Sequence, residues 1–380
     1  MHPVTIIGSG LAGYTLAKEF RKLDQTTPLR IITRDAGIFY SKPQLSSAFT
    51  HQKPAAALAS ASASKMAEQL HAEILTHTTV KKINAAQQQI ETEQATLSYS
   101  ALVLAQGAEV IKIPLAGDAA NEVLSVNSLE DYQNFRTQIA DKKRVTILGA
   151  GLVGCEFTND LLNGGHHVDV VALAKTPLDI LLPAELGKIF EQQLQEKGVV
   201  WHLERSIQSV KHGNNGLDVL LSDNSVLQTD LVLSAIGLRP ALQLAKTAEL
   251  ATQRGILVDR YLCTTNPAIY ALGDCAEVAG HVMFYVAPLV ICARALAQTL
   301  TGNPTPVSYP PMPVILKTPA CPVVVNPPPN NIRGTWQISG DAPDKKALFY
   351  DEQNCLQGFA LLGKSVLEKM ALVKELPILF

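Results

Sequence analysis

Two stretches of the chain carry the residue pattern from which a nucleotide phosphate site is built. The apolar run Val4-Thr5-Ile6-Ile7 leads without a gap into Gly8-Ser9-Gly10-Leu11-Ala12-Gly13, and a helical pattern opens behind it. Gly8 permits a tight turn out of a strand, Gly10 lets the backbone approach a pyrophosphate, and Gly13 lets the helix pack on the strand. The phosphate then faces unpaired N–H groups and the positive end of a helix dipole. A single motif of this kind is weak evidence, because glycine-rich turns are common. Here the same strand, turn and helix recur at Val145-Thr146-Ile147-Leu148-Gly149-Ala150-Gly151-Leu152-Val153-Gly154. Two dinucleotide sites in one chain point to a flavin–nicotinamide oxidoreductase. Hydride transfer between two cofactors asks for alignment and electrostatics, not for a side-chain nucleophile, so no catalytic residue is assigned.

These sites need sheets and helices to hold them. Leu11 to Leu23 reads as a helix and Leu29 to Ile32 as the next strand. Asp35, with Arg34 beside it, stands where an acid would bind ribose hydroxyls. The loop Tyr40-Ser41-Lys42-Pro43-Gln44-Leu45-Ser46-Ser47 brings one cation, Lys42, toward the phosphates. Strands are expected at 73–76 and 80–83, a short antiparallel piece over 90–97, and a buried strand at 102–108 that ends in Gly107. Ser128 and Asp131 form a capping pair at a helix start. In the second unit the strand 168–171 is followed by Ala172, with Lys175 nearby. A carboxylate at that position would repel a 2′-phosphate, and its absence leaves NADH against NADPH open. The run Asp230 to Gly237 mirrors the strand ending at Gly107, so the repeat extends past the glycine turns. Ile269 to Glu277 is another strand, ending in Gly273-Asp274, and a helix is expected from Pro288 to Leu300. From Val307 the composition turns proline-rich.

The fold class is therefore α/β. It has two Rossmann-like dinucleotide-binding domains, the first of them discontinuous, plus a small α+β C-terminal domain. The expected boundaries are 1–110 and 238–306 for the first domain, 111–237 for the second and 307–380 for the third. At 380 residues, with 47 % apolar and 17 % charged residues, the chain has ample material for these cores. A formal charge of −2 gives no reason to expect nucleic acid or an anionic membrane as partner. The start of the sequence resembles no targeting segment, and the apolar window 282–300 is interrupted by Pro288 and Arg294. Six scattered cysteines without a C-x-x-C suit reduced thiols, so a cytoplasmic protein is expected.

The residues also resemble a known family. Gly8–Gly13 with Tyr40-Ser41-Lys42-Pro43, Gly149–Glu156, Ala235-Ile236-Gly237-Leu238-Arg239-Pro240 and Ile269–Glu277 are similar to FAD-dependent NAD(P)H reductases of the glutathione-reductase structural class. Lys317-Thr318-Pro319-Ala320-Cys321-Pro322 and the Ser-Lys-Pro loop resemble the rubredoxin reductase branch. That resemblance implies FAD on Gly8, Ser9, Gly10, Leu11, Ala12, Gly13, Arg34 or Asp35, Lys42 and the backbone of Val80. Asp274 would hold the ribityl chain, and Val286 and Lys317 would lie near the ring. Gly149, Gly151 and Gly154 would take NADH, with NADPH open, and Glu156 would reach the face between flavin and nicotinamide. The implied acceptor is rubredoxin, docked transiently by charge steering, which in turn supplies a membrane alkane hydroxylase. Lys42, Arg294, Arg333, Lys345 and Lys346 are candidates for the steering cluster. Gln106 departs from the class, which often has Thr there.

Rival readings fail on particular residues. A disulfide reductase needs a cysteine pair beside the flavin, and a peroxidase or oxidase of this class needs a cysteine where Ser47 stands. The nearest enzyme alternative is a ferredoxin reductase of an oxygenase system, which usually carries lysine at that position. Another class of reading is a non-catalytic redox-signalling flavoprotein. Cys155 and Cys275 read as packed and inert, and His166-His167 without a third ligand makes a poor metal site.

Overall fold

The apolar runs become strands buried on both faces, which is why they read as continuous rather than alternating. In the computed structural model, which describes residues 1–329 and 331–380, Val4–Ile7 lies at the centre of a five-stranded parallel sheet. Its order is Ile269–Ala271, Ala101–Leu104, Val4–Ile7, Leu29–Ile32, Ala72–Leu75. Ile6, Ile31, Val103 and Ile269 in it are fully buried. The second unit repeats the arrangement with Val200–Leu203, His167–Ala172, Arg144–Leu148 and Leu231–Ser234, again all parallel. Each unit also carries a three-stranded antiparallel insert at the same place in its order, residues 80–98 in the first and 207–229 in the second.

The first sheet takes one strand from beyond the second sheet. The chain crosses over and back at Ala108–Val110 and Leu238–Pro240, which pair antiparallel. A third sheet, antiparallel throughout, has the order Val314–Leu316, Val323–Asn326, Leu356–Leu362, Lys346–Asp351, Gly334–Ser339, and the helix Lys369–Glu375 follows it. The way into this lobe and the way out of it are tied together. Leu379 N–H donates to the Tyr309 carbonyl at 2.8 Å, and the Phe380 ring packs on Tyr309 at 4.7 Å and stacks on His281 at 5.7 Å.

Three local expectations change. The piece over 90–97 is two strands, Gln89–Thr92 and Thr96–Ser98, because the Thr92 hydroxyl accepts the N–H groups of Gln94 and Ala95 and so builds a turn without glycine or proline. The strands Ile207–Gly213 and Val226–Thr229 went unread. The long helix starts at Val286, not Pro288; proline is accommodated in a first turn, where its missing N–H has no intrahelical partner to lose. The Ser128–Asp131 capping box forms as expected. No helix among the described residues is long and apolar enough to cross a membrane.

Candidate functional site

The glycine turns divide into two kinds of position. Gly8 and Gly149 sit at φ +115° and +112°, and a Cβ on either would strike the carbonyl oxygen of Ala105 or Ala235 at 2.3 or 2.7 Å. Gly13 and Gly154 pack on the turns themselves, where a Cβ would stand 2.0 Å from the Gly8 or Gly149 oxygen. Gly10 and Gly151 behave differently. Each caps a helix, Leu11–Leu23 or Leu152–Asn163, with no side-chain cap, and a Cβ there would meet nothing within 4 Å. Open space thus lies before two helix ends whose first N–H groups have no intrahelical partner. Such a cradle fits a dinucleotide phosphate.

Around the first cradle the side chains are already partly committed. Ser9 is buried, and its one hydroxyl hydrogen is shared between Thr33 Oγ1 at 2.9 Å and Asp35 Oδ1 at 3.2 Å, so its backbone N–H is the donor left for a ligand. Asp35 Oδ1 also takes the Thr33 hydroxyl and the Gly37 N–H, both at 2.8 Å, while Arg34 is exposed. Lys42 and Asp274 are both partly buried and lie within electrostatic reach of each other. Burial pushes the Lys42 ammonium down and the Asp274 carboxyl up, and each charge opposes that shift in the other. Neither makes a hydrogen bond or ion pair among the described residues. Partly buried opposite charges without hydrogen-bonding partners suit a polar ligand. Val80 opens the strand Val80–Asn84, its backbone paired with Thr92, and Val286 opens the long helix, 40 % exposed.

Glu156 is not an open face. It is 2 % exposed, and its Oε2 accepts the Ser46 hydroxyl at 2.6 Å while Oε1 accepts the Lys317 backbone N–H at 3.0 Å. The Lys317 ammonium closes the network on Glu156 Oε2 and lies 3.0 Å from Ser46 Oγ. Glu156 and Lys317, expected as separate contacts, are partners. Two residues further along the same helix extend the junction. Asn159 Oδ1 accepts the Ala320 N–H at 3.1 Å, and the Asp160 carboxylate accepts the N–H groups of Phe49 and Thr50, each at 2.8 Å. One helix of the second unit therefore binds the loop of the first unit and the entry to the third. Sequence reasoning missed Ser46, Asn159 and Asp160. The signal was present, since 156, 159 and 160 share one face of a helix whose other residues are mostly apolar.

Other expectations can be placed as well. Cys155 and Cys275 are fully buried, and burial raises both thiols, that of Cys275 to about 11. No group of residues that would hold a metal occurs among the described residues. The five candidate steering cations do not stand free together. Lys345 pairs with Glu185, Lys346 with Glu368 and Arg294 approaches Glu19 at 3.9 Å, while Lys42 is partly buried and Arg333 exposed. For Lys345, Lys346 and Arg294 an acid within reach is the physical reason.

Comparison with known proteins agrees with this architecture. Residues 2–295 match the family model for pyridine nucleotide-disulphide oxidoreductases, and residues 306–376 match that of a rubredoxin binding C-terminal domain. The chain is 50 % identical to a rubredoxin-NAD(+) reductase of Alcanivorax borkumensis over 99 % of both proteins. It is 44 % identical to one of Acinetobacter baylyi, over 99 % of this chain and 98 % of the relative. The solved covalent putidaredoxin reductase–putidaredoxin complex superposes with a TM-score of 0.89 at 23 % identity, covering 99 % of this chain and 94 % of that one, which shows the fold. The two glycine cradles, the repeated parallel sheets and these matches lead to one conclusion: the chain belongs to the pyridine nucleotide-disulphide oxidoreductase family.

Proposed function

We propose that this chain carries electrons from NADH, through FAD, to the iron of a rubredoxin. The observation that carries the reading is the lobe matching a rubredoxin binding domain, joined through Lys317 and Ala320 to the helix that starts at the second glycine turn. Bound FAD supplies the change from two-electron to one-electron chemistry, which no side chain offers. The residues bind and orient. Gly8 to Gly13 would take the FAD pyrophosphate with Lys42 near it, Asp274 the sugar chain, and Gly149, Gly151 and Gly154 the nicotinamide dinucleotide. Glu156 and Lys317 would set the junction where donor and acceptor meet. The reading extends to a membrane alkane hydroxylase supplied by the reduced rubredoxin, and six free cysteines support a reducing, cytoplasmic setting.

Stopped-flow comparison of rubredoxin and ferredoxin as acceptors tests the assignment, and faster turnover with ferredoxin would replace it by the oxygenase reading. Charge steering adds a second expectation. The rate constant with rubredoxin should fall severalfold as the Debye length shrinks from about 30 Å at 10 mM salt to about 8 Å at 150 mM. Flavin reduction by NADH should change far less. Indifference of the rubredoxin step to salt would mean apolar docking.

Coenzyme preference gives a third expectation. Ala172 ends its strand one residue past Val171, whose carbonyl accepts the Gly149 N–H at 2.8 Å, so it borders the second cradle. Ala172→Glu should disfavour NADPH against NADH by about tenfold or more, roughly 1.4 kcal/mol. Equal losses for both coenzymes would remove this residue from the 2′ position.

A further inference from the structure

We infer that the side-chain amide of Gln106 is an additional FAD-binding group, paired with a hydroxyl of the ribityl chain; this rests on the FAD reading above. Gln106 Oε1 is buried and has no hydrogen-bond partner among the described residues. Buried polar atoms in folded proteins nearly always have one, so an orphan of this kind calls for a missing donor.

Its position says which donor. Gln106 follows the strand Ala101–Leu104, and its backbone nitrogen is 3.4 Å from where a Cβ on Gly8 would stand. The thiol of Cys275, the residue after Asp274, donates to the carbonyl of Leu104, two residues before Gln106, at 3.3 Å. Gln106 therefore sits between the first glycine of the turn and the Gly-Asp segment. The internal repeat supplies a control. Ala105 N–H donates to the Ile7 carbonyl at 2.9 Å, and Ala235 N–H donates to the Leu148 carbonyl at 2.7 Å, which makes Ile236 the counterpart of Gln106. The backbone nitrogen of Ile236 likewise lies 3.2 Å from a Cβ on Gly149. The second unit builds the same turn with an apolar side chain, so the fold itself does not demand an amide here. An amide oxygen requires a donor. Phosphate oxygens only accept, whereas ribityl hydroxyls donate, and Asp274, in the segment bonded to the end of the preceding strand, is the group assigned to the same sugar chain.

The test is the rate of FAD release from purified holoenzyme, followed by the rise of flavin fluorescence on dilution. Gln106→Leu, which removes the acceptor, should release FAD about tenfold faster than wild type. Gln106→Glu, which still accepts from a hydroxyl, should stay within about threefold of wild type. If the leucine variant does not purify folded, Gln106→Ala carries the same expectation as Gln106→Leu. NAD+ binding and the far-UV circular dichroism should be unchanged, which separates a local contact from damage to the fold. Wild-type release from the leucine variant would overturn the inference. So would faster release from the glutamate variant than from the leucine variant, the mark of a phosphate neighbour. A wild-type protein that purified without flavin would instead overturn the FAD reading beneath it.

Discussion

Asp274→Ala is expected to purify nearly colourless. The partly buried carboxylate has Lys42 as its opposing charge, and burial has already raised its carboxyl above the ordinary value. A hydroxyl that donates to it forms a charge-assisted bond of about 1.5–3 kcal/mol, so its loss weakens FAD by roughly ten- to 150-fold. The same bond links binding to protons. A donor stabilises the charged carboxylate, so FAD lowers the Asp274 pKa and binds best above the raised value of the free protein. Affinity should therefore fall as pH drops through that value. Flavin-to-protein ratios after dialysis across a pH series give the result. Asp274→Asn keeps an acceptor without the charge and should hold more FAD than Asp274→Ala, with a flatter pH profile. Full flavin occupancy in Asp274→Ala at every pH would refute the assignment.

Glu156→Ala should slow reduction of the flavin by NADH by a factor in the tens, about 2 kcal/mol on the barrier, while FAD stays bound. The substitution removes the centre of a buried network and leaves the Lys317 ammonium and the Ser46 hydroxyl without their acceptor. Removing one partner of a buried pair costs about 3–5 kcal/mol, and the Lys317 side chain, 33 % exposed, recovers part of that from water. A lower melting temperature should accompany the slower step. Glu156→Gln, which retains two hydrogen-bonding atoms, should restore much of the stability and less of the rate. Single-turnover reduction at the wild-type rate in Glu156→Ala would sink the role.

The parts of this protein that were legible in its sequence are those set by residue type at fixed spacing. Gly8 and Gly149 announce their turns because no other residue fits a positive φ hard against a carbonyl. The repeat was legible because both units end their fourth strand in the same small-residue pattern. The polar junction was not, since Ser46, Glu156 and Lys317 are brought together only by tertiary packing. The turn at Thr92 escaped because a side chain, not glycine or proline, builds it. Steering cations could not be chosen from sequence, as the ion-pair partners of Arg294, Lys345 and Lys346 lie on other elements.

The helix Leu152–Asn163 limits how this molecule can be recombined. It belongs by chain order to the second unit, yet its buried polar face is written in a code shared with residues 46–50 and 317–320. A chimera that exchanges the second unit alone would import a helix whose partners stayed behind, stranding buried carboxylates without donors. The natural unit of exchange is therefore three segments moved together, and families of such reductases should inherit them as one block.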